Sequence, residues 1–149
     1  MIDDAVSTTF AVEGVPRPQG SLTPWADRNG KAHVTHGLVS QRWRLLVHDT
    51  AVEQWQRVPL TGPVGIRLLF RMPERLRDFT GGYPTGSPDV DKLARCVLDG
   101  LTGVVYVDDA QVVRLMADKC YARAPYSVPG VVVTVDDWSR EAPDGPLHD

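Results

Sequence analysis

The chain has 149 residues, 42% of them hydrophobic and 23% charged, and a formal net charge of −3. That length suits one domain with a core large enough to stand without disulfides. No apolar run reaches the roughly 18 residues of a membrane span, and the acidic start MIDDAVSTTF lacks the basic-then-apolar order of a secretory signal, so no membrane partner is expected. Cys96 and Cys120 have no CxxC spacing and no neighbouring His, which reads as two buried thiols in the reducing cytoplasm rather than a disulfide or zinc site.

Thr8 to Val12 reads as a first strand with Phe10 and Val12 on one face. Gly14 to Gly20 then breaks regular structure, and two prolines bracketing Arg17 stiffen a loop that holds its guanidinium outward. Trp25 to His36 reads as a hairpin whose Arg28-Asn29-Gly30-Lys31 segment favours a type I′ turn. His33 and His36 flank that turn as surface or DNA-contacting groups, with no ligand spacing between them. Ser40 is placed to cap a helix from Gln41 to about Arg57, with Trp43, Leu46, Val47, Thr50, Ala51, Gln54 and Trp55 as its apolar stripe. Pro59, Gly62 and Pro63 end it.

Val64 to Met72 is a strand in which Ile66, Leu68 and Phe70 alternate with Arg67, Leu69 and Arg71. Pro73 to Gly86 is a Gly/Pro loop in which Arg75 and Arg77 are interleaved with Phe79 and Tyr83, a composition suited to gripping phosphate and stacking on a base. Ser87-Pro88 opens a second helix, Ser as N-cap and Pro in first position. Val90, Leu93, Ala94, Val97, Leu98 and Leu101 form its core stripe, and Gly103 stops it. Val104 to Val107 is a short apolar segment, and Asp108-Asp109 a turn or strand start. Gln111 to Tyr121 and Val128 to Val135 are the last strands. Residues 1–135 therefore form one compact α/β (α+β) domain, a mixed sheet of about four main strands with two principal helices. Residues 136–149 form an acidic, flexible tail.

Charge is unevenly spread. Residues 14–77 hold ten basic and four acidic side chains, a local charge of +6, whereas residues 78–135 carry −2. A basic half against an acidic centre suits a phosphate-binding surface around a metal site. Asp89 and Asp91 stand two apart at the helix start, where both can aim at one point. Asp109, returning beside that helix, is the expected third ligand, with Asp108 helping. Four carboxylates drawn together call for a divalent cation, and magnesium, or manganese in its place, is the ion that carboxylates and waters hold in phosphodiester hydrolysis. Arg95, one turn beyond Asp91, can hold phosphate or stabilise the pentacovalent state, but cannot shuttle protons because its pKa exceeds about 12. The pattern so far reads as a magnesium-dependent nuclease. A glycosyltransferase-like DxD site for a nucleotide diphosphate is the reading from another class, and it needs a nucleotide-binding half that this short chain lacks.

The run Pro88-Asp89-Val90-Asp91, then Leu93, Leu98-Asp99-Gly100-Leu101 and Gly103, then Asp108-Asp109-Ala110-Gln111-Val112, resembles the signature of the RusA family of Holliday-junction resolvases, P-D-x-D-N-L-x-K, L-D-A-L and D-D-x-Q-V. The resemblance covers roughly residues 8–135. It implies a compact α/β homodimer, cytoplasmic and of phage or prophage origin, that resolves four-way DNA junctions by paired nicks. It implies Asp89, Asp91 and Asp109 as the metal-binding catalytic carboxylates, with Asp108 close by. Two positions depart from the pattern: Lys92 stands for the usual Asn, and Arg95 for the usual lysine. A branched-DNA-binding protein of impaired catalysis is therefore the alternative. Arg17, Arg28, Lys31, Arg67, Arg71, Arg75, Arg77 and Lys92 are the expected DNA contacts.

Overall fold

A computed structural model describes residues 7–19, 23–35, 37–74, 82–125 and 127–139. Its elements follow in the order β1 (Ser7–Glu13), β2 (Thr23–Ala26), β3 (Ala32–Thr35), α1 (Leu38–Trp55), β4 (Val64–Met72), α2 (Val90–Leu101), a 3-10 turn (Asp109–Gln111), β5 (Val112–Tyr121) and β6 (Gly130–Asp137). Strands β1, β6, β4 and β5 make one mixed sheet in that order, while β2 and β3 form a separate hairpin. β4 and β5 run parallel, and β6 is antiparallel to both β1 and β4. This is the expected α+β architecture, four main strands with two helices. Among the described residues no helix is long and apolar enough to cross a membrane.

Alternation sets the sheet's inner face. Phe10, Val12, Ile66, Leu68, Phe70, Val131, Val133 and Val135 are buried together with Trp43, Val47, Ala51 and Trp55 of α1 and Leu93, Ala94, Cys96, Val97 and Leu101 of α2. The two helices touch at Gly100, where a Cβ would lie 2.9 Å from Val47 Cγ1 and 3.0 Å from the Arg44 carbonyl oxygen. His48 Nδ1 donates to the Gly100 carbonyl beside this contact, at 3.0 Å. The opposite face of the sheet carries Ala11, Arg67 and Leu69, all exposed. β5 is an edge strand, and Val113, Leu115 and Met116 along it are exposed.

Several local boundaries differ from the sequence expectation, each for a physical reason. α1 begins at Leu38 rather than Gln41, because the Ser40 hydroxyl donates to the Pro18 carbonyl at 2.6 Å instead of capping. Leu46, expected in the core stripe, is 41% exposed. α2 begins at Val90 with Asp89 as N-cap. Lys119 Nζ takes the Gly86 and Pro88 carbonyl oxygens at 3.0 and 2.9 Å, which holds both outside the helix. In the hairpin only Gly30 has a positive φ, +77°. Asp27 Oδ1 accepts from the backbone N–H of Asn29 and Lys31, each at 2.9 Å, so an aspartate-centred loop replaces the type I′ turn. β6 spans Gly130–Asp137, so Asp136 and Asp137, placed in the tail by the sequence, are strand residues.

Candidate functional site

The acidic residues lie at the two ends of α2, and the topology explains why. A helix that crosses over between parallel strands runs antiparallel to both of them. Its start therefore meets the strands' carboxyl ends, and its end meets their amino ends. Lys119, near the end of β5, bonds to the residues just before α2, while the Asp109–Gln111 turn leads into the first residue of β5. Asp91 and Asp99 are eight residues apart, about 12 Å along the axis.

At the first end, Asp89 accepts the Leu93 N–H with its backbone carbonyl at 3.0 Å, and its side chain makes no capping bond. Its carboxylate is left for an external partner and pairs with Lys92 Nζ at 3.4 Å, both groups being well exposed. Asp91 in the first turn and Arg95 one turn later are also exposed. The Pro16–Arg17–Pro18 loop is fastened here by a residue the sequence reading passed over. Gln19 is buried, its N–H donates to the Lys92 carbonyl at 3.0 Å, and its side-chain amide bonds to the Asp99 carboxylate. Arg17, exposed, is thereby held beside the start of α2.

At the second end, the structure separates the roles of the two neighbouring aspartates. Asp108 caps the 3-10 turn, its Oδ1 accepting the Ala110 N–H at 2.9 Å. Gln111 closes the box, with Oε1 accepting the N–H groups of Val107 and Asp108 at 2.9 Å each. Its Nε2 donates to the carbonyls of Leu60 and Gly62 at 2.8 and 2.9 Å, so the turn is bolted to the loop before β4. Asp109 is left outward. Partial desolvation, then the Asp99 carboxylate and then Asp108, raise its carboxyl above the ordinary value. Asp99 is a second residue that sequence reasoning left without a role. Its signal was its position on the wet side of α2, two helical turns beyond Asp91. Beneath this corner Tyr106 is buried and donates to the Leu98 carbonyl at 2.6 Å.

Within one chain, then, Asp89 and Asp91 do not meet Asp109. Among the described residues no three His, Cys, Asp or Glu side chains converge closely enough to hold a metal ion. The acidic side chains of one chain thus form two separate groups, Asp89 and Asp91 at the start of α2 and Asp99, Asp108 and Asp109 at its far end.

The expected DNA contacts are dispersed. Arg28 and Lys31 are exposed at the tip of the β2–β3 hairpin. His33 is tied down there by Asp27 at 3.0 Å and by stacking on Trp25 at 4.5 Å. Arg67 and Arg71 project from the open face of the sheet, Arg67 reaching Asp136 at 3.4 Å. Arg75, Arg77 and His36 lie outside the described residues. Both cysteines are free; Cys96 is buried and its thiol is pushed up to about 11, chiefly by that burial, and Cys120 is half-buried.

The described chain is thus an α+β crossover domain with exposed carboxylates at the start of α2 and in the turn that enters β5. The model of the family described as "Endodeoxyribonuclease RusA" matches residues 15–136, and the chain belongs to that family, whose members act on branched DNA. It is also similar to "Uncharacterized protein YqaN" of Bacillus subtilis (strain 168), with 31% identity over 131 residues, covering 78% of this chain and 89% of that protein.

Proposed function

We propose that the protein is a magnesium-dependent endodeoxyribonuclease that acts as a homodimer and resolves Holliday junctions by two symmetric nicks. Family membership supports the class of reaction and the branched substrate. The observation that carries the dimer is the separation of the two acidic groups, each read as a half-site. A two-fold partner aligned antiparallel to α2 and β5 brings Asp89 and Asp91 of one chain to Asp109 of the other, twice over. The edge strand β5, with exposed Val113, Leu115 and Met116, offers unpaired backbone and apolar area for that contact.

In this reading Asp89, Asp91 and the other chain's Asp109 hold magnesium, for which manganese can substitute, while Asp108 and Asp99 keep the corner acidic. The ion would acidify an attacking water and take up charge on the leaving oxygen. Arg95 lies where it can meet the scissile phosphate, and Lys92 and Arg17 flank the same end of α2. A four-way junction has approximate two-fold symmetry, which a two-fold dimer matches with two equivalent sites.

A second reading, binding to branched DNA with impaired cleavage, is favoured by one contact: the Lys92 ammonium occupies the Asp89 carboxylate at 3.4 Å. The test is incubation of the protein with a synthetic four-way junction and magnesium, with Asp109→Asn alongside. Nicking by the wild type and none by the variant is the expected result. Binding without nicking by the wild type favours the second reading, and equal nicking by both proteins overturns the site.

A further inference from the structure

The open face of the sheet holds a pocket that the half-sites do not use. It lies at the amino ends of β4 and β5, the end at which the Asp109 turn enters β5. Gly65, Asp136 and Arg114 occupy neighbouring positions across the strands there. After β6 the chain folds back, with the Trp138 N–H donating to the Pro63 carbonyl at 3.0 Å. The indole then lies over Gly65, where a Cβ would come within 3.2 Å of Nε1. Any larger residue at position 65 would displace the ring. The resulting cavity, about 260 Å³, is lined by Gly65, Arg67, Arg114, Asp136 and Trp138 among others.

Its charge is unbalanced. Two guanidiniums line it against one carboxylate. Asp136 Oδ1 receives the Ser7 hydroxyl as well as Arg67, and the Arg67 contact is long at 3.4 Å. Arg114 has no carboxylate partner among the described residues; its guanidinium lies 5.9 Å from the Trp138 ring centroid. An arginine beside an aromatic plane is attracted to the ring face and loses less freedom on taking an anion. Between Asp109 and Arg114 lie one short turn and two strand residues, roughly 10 Å, or about three steps of DNA rise.

We propose that this pocket is a backbone-phosphate subsite for the DNA arm leaving the Asp109 half-site. Arg114 is its primary contact, Arg67 its second, and Trp138 the plane that orients Arg114. The assignment rests on the reading of the chain as a junction nuclease. The occupant is a phosphodiester because two planar donor forks suit phosphate oxygens. The pocket, about 260 Å³, is too small for a folded partner.

The experiment is junction binding by the full chain between 50 and 200 mM salt, for the wild type, Arg114→Gln, Arg114→Lys and Arg67→Gln. Each lost phosphate contact flattens the log K against log salt slope by about 0.9, so the loss of affinity over that range shrinks about 3.5-fold. Arg114→Gln and Arg67→Gln are each expected to show that flattening, and Arg114→Lys to keep the wild-type slope. Asp136→Asn, which releases Arg67, is expected to tighten binding at every salt concentration. A merely structural role predicts weaker binding or lower melting temperature with no change of slope, and that result overturns the subsite. Unchanged slopes in a wild type that binds and nicks junctions overturn the subsite alone. A wild type that binds no DNA even at low salt overturns both readings.

Discussion

If each catalytic site is shared between two chains, two dead variants combined should give back part of the activity. Asp91→Asn alone and Asp109→Asn alone each break both sites of their own homodimer. In a mixed dimer the geometry differs. One site receives both substitutions, and the other receives the intact Asp89–Asp91 pair of one chain and the intact Asp109 of the other. Random pairing of equal amounts makes roughly half the dimers mixed, each with one intact site of two, so about a quarter of wild-type sites return. The magnitude follows from the fold. Magnesium binds carboxylate oxygens at about 2.0–2.1 Å. The strand from Val112 to Lys119 alone spans roughly 23 Å, so no side-chain rotation in one chain joins the half-sites. The assay is nicking of a labelled four-way junction after the variants are unfolded together and refolded. Single nicks should appear at about a quarter of the wild-type yield, and paired resolution should not. A mixture as inactive as its components, with mixed dimers shown to be present by differential tagging, would refute the shared site.

Asp109 is raised above its ordinary carboxyl value, so the folded state binds its proton more tightly than the unfolded chain. Its charge therefore opposes folding above both values, and that penalty fades as pH falls through the carboxylate range. Asp109→Asn should raise the melting temperature at pH 7 while abolishing nicking, with the gain shrinking toward pH 3; thermal melts across that range check it. Lys92→Asn releases Asp89 from its ion pair and should lower the magnesium concentration at half-maximal nicking, and a titration showing no change or an increase would argue against competition between Lys92 and the metal. Gln111→Leu removes four hydrogen bonds that close the Asp108 box and tie it to the Leu60–Gly62 loop. At about 0.5–1.5 kcal/mol each, the cost should be roughly 2–6 kcal/mol in urea unfolding, and a loss below about 1 kcal/mol would mean the turn holds without it.

Much of this was legible in the chain because burial patterns are local. Leu93, Val97 and Leu101 recur at the helical period and are fully buried, and Ile66, Leu68 and Phe70 alternate and are fully or almost fully buried. The acidic residues and the family motif are equally visible in one dimension. α1 was harder, because Leu38, Leu45 and Val52 lie at seven-residue steps on its exposed side. A second apolar row blurs the stripe that periodicity detects.

The sequence by itself determined the main helices and strands, the buried faces of α2 and β4, and which carboxylates are candidates. Tertiary structure decided the rest. It made Asp108 a cap and left Asp109 outward, because Gln111 is bonded to a loop fifty residues away. It gave Asp99 and Gln19 a place, because a helix side acquires meaning only when another segment lands on it. Above all, it set the acid pairs apart. Sequence spacing shows that Asp91 and Asp109 are separated by one helix and a return. Only the parallel pairing of β4 with β5 fixes that return at the opposite end of the sheet, and so sets Asp89 and Asp91 apart from Asp109.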